Sequence, residues 1–149
     1  MNPFIQLTKI TSLLVIVFLL AYFALAHGAQ AVSPAPDGGY PGGNTAEGQN
    51  ALFHLTTGGY NTAVGFLSLF ASTTKSFNTA IGAGTLLANT AGQNTATGAR
   101  ALLSNTTGGF NTANGAFSLF SNTTGSFNTA NGSFALQANT TGCQHGQRR

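Results

Sequence analysis

From residue 44 onward, polar and apolar positions recur in a fixed order. The motif Asn-Thr-Ala-x-Gly begins at Asn44, Asn61, Asn78, Asn94, Asn111 and Asn128, in steps of 17, 17, 16, 17 and 17 residues. Eight residues after each Asn stands a leucine: Leu52, Leu69, Leu86, Leu102, Leu119 and Leu136. A turn-like stretch follows, as in Asn105-Thr106-Thr107-Gly108 and Asn122-Thr123-Thr124-Gly125. An aromatic closes four of the copies: Tyr60, Phe77, Phe110 and Phe127. Six copies at a nearly constant period are the signature of stacked coils. The short copy, residues 78–93, lacks the closing aromatic, and its missing residue is expected to fall in a turn.

The repeat predicts strands rather than helices. Repeats built from helix pairs run to about 30 residues or more, and Gly, Asn and Thr are poor helix formers. Two strands of roughly five residues, joined by Gly or Asn turns, fit one copy. Stacked coils set each Asn over the next Asn and each Thr over the next Thr, so that like side chains can hydrogen-bond in ladders. The expected fold is therefore all-β, a parallel β-roll or β-solenoid of about six coils. At about 4.8 Å per coil it would be roughly 30 Å long.

Side-chain parity adds one expectation. The residue after each leucine is Phe53, Phe70, Leu87, Leu103, Phe120 and then Gln137. Neighbours on a strand point to opposite faces, so leucines that fill the interior send this second column outward. A continuous outward apolar column normally marks a contact surface, and Phe53, Phe70, Leu87, Leu103 and Phe120 are the candidate subunit interface. The other reading is a local bulge or turn that puts both columns inside.

The residues outside the repeat define the rest of the chain. Lys9 precedes an apolar run over residues 10–25, and small residues follow at Ala24, Ala26, Ala29 and Ala31 with signal-peptidase spacing. Residues 1–31 are expected to be a cleaved export signal, the alternative being an uncleaved anchor. A membrane span needs about 20 apolar residues, and this run is short for one. Residues 32–43 read as a linker rich in Pro and Gly, residues 44–142 as the solenoid and residues 143–149 as a tail.

The stretch Ala101 to Gly115 (ALLSNTTGGFNTANG), with NTAVG at Asn61 and NTAIG at Asn78, resembles the head repeats of trimeric autotransporter adhesins. It is also similar to longer NTAxGxxALxxNTTG repeats of bacterial surface and fibre-like proteins. The likeness covers about residues 43–142, and the period of 17 is longer than that of the usual adhesin head. The resemblance implies a left-handed parallel β-roll, a homotrimer, a bacterial cell-surface or extracellular location, and adhesion. Adhesin heads are followed by neck, stalk and barrel segments, so a truncated relative of a longer fibre-type protein is a further expectation.

Composition narrows the chemistry. Charged residues are 5% of the chain and the formal charge of +3 comes from scattered residues, so there is no basic patch and no nucleic-acid partner is expected. Glycoside hydrolysis would need two placed carboxylates, but beyond the leader the acids are Asp37 and Glu47 alone. The same scarcity argues against a Ser/His/Asp triad or a calcium site. Gly82-x-Gly84 reads as a turn rather than a dinucleotide fingerprint. Cys143 and His145 are too few for a zinc site, and Cys143 could instead pair between chains. His54 is expected in a surface turn. Asn105, Asn122, Asn131 and Asn139 match the glycosylation rule, as an Asn/Thr repeat does automatically. The expectation is a non-enzymatic structural or binding module without cofactor or metal, a homo-oligomer whose ligand no residue identifies. The rival is an ice-binding solenoid, set back by threonine pairs that lie at turns.

Overall fold

The structure, a computed structural model, describes residues 40–143 and 145–147. The expected export signal at 1–31 and residues 32–39 of the expected linker lie outside the described residues. Each repeat contributes one strand of three residues: β1 (Thr45–Glu47), β2 (Thr62–Val64), β3 (Thr79–Ile81), β4 (Thr95–Thr97), β5 (Thr112–Asn114) and β6 (Thr129–Asn131). A further strand, β7 (His145–Gln147), extends the sheet by one rung into the segment read as a tail. The strands form one parallel sheet in chain order. Its register sets Thr on Thr and Ala on Ala through the first six strands, including Thr79 on Thr95 across the short repeat. The molecule is an all-β parallel β-solenoid, as the period implied.

The two five-residue strands expected per coil are not there. The reason is the backbone: each coil carries four residues at positive φ. They stand immediately before the Asn and four, six and eight residues after it, as at Tyr60, Gly65, Leu67 and Leu69. Extended backbone cannot pass through such residues, so only Thr-Ala-x remains a strand and the rest of each coil is a chain of turns. Sixteen of these residues are not glycine. Left-handed backbone costs them about 1–2 kcal/mol each. At the leucines, φ 48–52°, burial worth about 1.5–3 kcal/mol offsets it.

The glycine of Asn-Thr-Ala-x-Gly is not replaceable in the same way. Its φ is 116–131° from Gly48 to Gly132. A Cβ on Gly115 would lie 2.5 Å from the carbonyl carbon of Gly132, one coil along. Close stacking of backbone on backbone needs glycine there.

Turn backbone still bonds from coil to coil. Leu52, Leu69, Leu86, Leu102 and Leu119 each donate their N–H to a carbonyl of the following coil at 2.9–3.1 Å. The motif glycines Gly65, Gly82, Gly98, Gly115 and Gly132 donate to the preceding coil at 2.7–2.8 Å. The deletion in residues 78–93 falls, as expected, in the turn after Thr90, and Ala91 takes the place held elsewhere by Gly58, Lys75, Gly108 and Gly125.

The core is thin. It holds the strand alanines, the leucine column and two ladders of asparagine. All six motif asparagines are buried. The Oδ1 of each of the first five accepts the backbone N–H of the next, at 2.8, 3.0, 3.0, 2.9 and 3.0 Å. From Asn44 to Asn111, each Nδ2 donates across the coil to a turn carbonyl at 2.8–3.0 Å. A second ladder runs Asn89, Asn105, Asn122, Asn139, with Nδ2 to Oδ1 distances of 2.7, 2.8 and 2.9 Å. Buried amides need such pairing, because an unsatisfied one costs roughly 1–3 kcal/mol.

Candidate interaction faces

The motif asparagines Asn44, Asn61, Asn78, Asn94, Asn111 and Asn128 sit inside the coil wall, where they join one coil to the next. Surface chemistry therefore belongs to the outward columns. The column Phe53, Phe70, Leu87, Leu103 and Phe120 lies at the surface: Phe53 is 63% exposed and the other four are half-buried, while Leu52, Leu69, Leu86, Leu102 and Leu119 are buried. Gln137 ends the column, exposed, beside a half-buried Leu136. The division between the two columns is as parity suggested, but strand alternation does not produce it. These residues are in a turn, and the left-handed leucine directs its own side chain inward and its successor's outward.

A second column joins it. Six residues after the Asn come Asn50, Leu67, Gly84, Arg100, Phe117 and Phe134. Phe117 touches Phe120 at 5.6 Å between ring centroids and stacks on Phe134 at 5.1 Å. The Arg100 guanidinium lies over the Phe117 ring at 5.7 Å. A Cβ on Gly84 would sit 3.7 Å from Leu103 Cδ1. The two columns are thus neighbours and make one apolar face along the solenoid. At its first coil Phe53 and Phe70 stack at 5.7 Å, and His54 packs edge-on against both while its Nδ1 lies 3.0 Å from the Phe70 carbonyl oxygen.

Two further columns carry distinct chemistry. On the sheet, Thr45, Thr62, Thr79, Thr95, Thr112 and Thr129 stand in register and outside the core. The turn threonines Thr56, Thr90, Thr106 and Thr123 are another set, and each hydroxyl donates to the carbonyl one coil on at 3.0–3.1 Å. The closing aromatics form the last column, with Tyr60 stacked on Phe77 and Phe110 on Phe127.

Among the described residues no group of three or more His, Cys, Asp or Glu could hold a metal ion, and Cys143 is exposed with its Sγ 3.6 Å from the Phe127 carbonyl oxygen. The fold and its faces define a class: a repetitive parallel β-solenoid scaffold held by amide ladders. Comparison with protein-family models, with curated proteins and with solved structures found no match to the chain.

Proposed function

We propose that the chain is a secreted or cell-surface structural and binding module, akin to an adhesin head, that works as a homo-oligomer. The observation that carries this is the apolar face of Phe53, Phe70, Leu87, Leu103, Phe120 and the adjoining Leu67, Phe117 and Phe134. It runs along all the coils, and its one cation, Arg100, is laid on a ring. Such a patch on a chain this poor in charge favours burial between copies. The resemblance of the repeat to adhesin heads supports a trimer with parallel chains, and the leader-like residues 1–31 support export. The scarcity of acids supports a role outside catalysis.

The test is the oligomer. Full burial of a large apolar side chain is worth roughly 1.5–3 kcal/mol, and association entropy takes back part of the sum. Replacing Phe70→Ser and Phe120→Ser together should dissociate the assembly at micromolar concentration, read by light scattering. A double variant that keeps the unmodified protein's mass would remove this face from the account.

A second reading has a specific observation behind it. The hydroxyls of the sheet threonines make no hydrogen bond among the described residues, whereas Thr56, Thr90, Thr106 and Thr123 each donate to a carbonyl one coil on. The sheet threonines stand in register at about 4.8 Å spacing, and Thr97 adds a second hydroxyl beside Thr95. This array suits ordered water and supports ice binding. Thermal hysteresis in the refolded protein, abolished by Thr79→Lys, is the expected result. Hysteresis absent from the unmodified protein would remove this reading and leave the first untouched.

A further inference from the structure

Asn114 and Asn131 are the asparagines of this chain that are followed by glycine, whereas every motif asparagine is followed by threonine. The difference is chemical. The backbone nitrogen after an asparagine can attack the side-chain carbonyl carbon, and a glycine, lacking a Cβ, hinders that attack least. The fold does not allow a slower neighbour in its place. Gly115 and Gly132 hold φ of 128° and 116°, and a Cβ on Gly115 would meet the next coil at 2.5 Å. Both asparagine side chains are exposed, at the ends of β5 and β6.

The coil guards the attacking atoms. Gly115 donates its N–H to the Thr97 carbonyl at 2.8 Å, and Gly132 donates to the Asn114 carbonyl at 2.7 Å. Each nitrogen is thus tied to the coil before it, so ring closure requires the strand to open locally. Openings of this kind follow burial, and here the two sites differ. Beside Asn114, Leu119 is fully buried and Phe117 half-buried. Beside Asn131, Leu136 is only half-buried and Phe134, Gln137 and Ala138 are exposed. The sixth coil therefore has less burial to lose on opening than the fifth.

The product also differs. Asn114 Nδ2 donates to Asn131 Oδ1 at 3.3 Å. A carboxylate at position 131 keeps that donor and receives a charge-assisted bond. A carboxylate at position 114 removes the donor and sets oxygen against oxygen.

We infer that Asn131 is a deamidation site of this chain and Asn114 its protected counterpart. In the opened strand the Gly132 nitrogen gives its proton to base and attacks Asn131 Cγ. The bond from Cγ to Nδ2 breaks, and Nδ2 leaves as ammonia with a proton from solvent. Water then adds to one carbonyl of the cyclic imide and opens it, which gives aspartate or isoaspartate. Aspartate leaves the main chain as it was and adds a negative charge two residues from Thr129, on the threonine-bearing face of the sheet. Isoaspartate lengthens the main chain by a carbon and pulls Gly132 off the Asn114 carbonyl. The site is independent of the apolar face and of either reading of function.

Incubation of the full chain in mildly alkaline buffer tests this, followed by peptide mapping with mass spectrometry and enzymatic methyl labelling of isoaspartate. A peptide of residues 109–137, which carries both Asn-Gly pairs without the coil, is the reference and should convert at comparable rates at the two. In the folded chain Asn131 should convert several-fold faster than Asn114, and both more slowly than in the peptide. Asn131→Asp, shown to be folded by circular dichroism, should abolish the faster conversion and leave that of Asn114 unchanged. Equal rates at the two sites in the folded chain, or Asn114 ahead, would overturn the inference. So would both amides remaining intact after the peptide has converted.

Discussion

Asn94 is where the two amide ladders meet, so its substitution tests them together. Its Oδ1 accepts the Asn111 N–H at 2.9 Å, and its Nδ2 donates to the Gly108 carbonyl at 3.0 Å and to Asn89 Oδ1 at 3.2 Å. Asn94→Asp keeps the shape and removes both donors. The new carboxylate then faces two acceptors in a fully buried site. An uncompensated buried charge costs about 3–5 kcal/mol, a large part of the about 5–15 kcal/mol that holds a domain. With a urea m-value of about 2 kcal/mol per molar, the unfolding midpoint should fall by about 2 M. Asn94→Ala should cost less, about 2–3 kcal/mol. It orphans only the Asn111 N–H, because Asn105 Nδ2 still serves both Asn89 Oδ1, at 2.7 Å, and the Gly108 carbonyl, at 2.8 Å. The pH dependence separates charge from shape. Burial and the facing oxygens raise the carboxyl's pKa in the folded state above its unfolded value. The deficit is therefore absent below the unfolded carboxylate range, near about pH 3, and grows as pH rises through about 4. Urea titrations followed by circular dichroism at pH 3 and pH 7, each against unmodified protein, give the comparison. A deficit equal at both pH values, or none at pH 7, would refute the ladder reasoning.

Four other substitutions bear on the coil itself. Gly115→Ala, where φ is +128° and the next coil's carbonyl carbon lies 2.5 Å from the added Cβ, should cost about 3 kcal/mol and lower the melting temperature by roughly 15 °C. Gly84→Ala, at φ +65° with its nearest contact at 3.6 Å, should cost only the backbone term of about 1–2 kcal/mol, since Leu67 and Phe117 hold the same conformation at equivalent positions. Ser72→Ala should be neutral or stabilising by up to about 1 kcal/mol in urea titration, because its buried Oγ has no hydrogen-bond partner at the foot of the second ladder. Leu102→Ala, at a fully buried site, should cost about 2–5 kcal/mol, read by the same titration.

What the sequence disclosed follows from periodicity. The step of 17 residues and the repeated Asn, Ala and Leu were enough for a parallel stack with Asn on Asn and the leucines inside. The alternation rule misassigned the local backbone, because Leu69 and Phe70 lie in a turn. Left-handed Leu, Phe and Tyr leave no mark in composition, since glycine is the residue expected to announce positive φ. The second ladder was hidden for a related reason. Asn89, Asn105 and Asn122 precede Thr and Gly, and that pattern reads as an exposed turn, although each side chain is buried against the next. The column of Leu67, Arg100, Phe117 and Phe134 could not be found by comparing copies, because the residue changes from coil to coil while its place does not. The strand threonines were visible in every motif, but their hydroxyls become distinct from those of Thr56, Thr90, Thr106 and Thr123 only when the carbonyls one coil on are in place.

The proposal that an apolar face of this solenoid is buried between copies is tested most directly by the mass of the unmodified protein expressed without residues 1–31. Light scattering over a concentration series through the micromolar range should give an assembly of constant mass, three chains or a multiple of three. A soluble monomer across that range, with Phe53, Phe70 and Phe120 open to solvent, would contradict it.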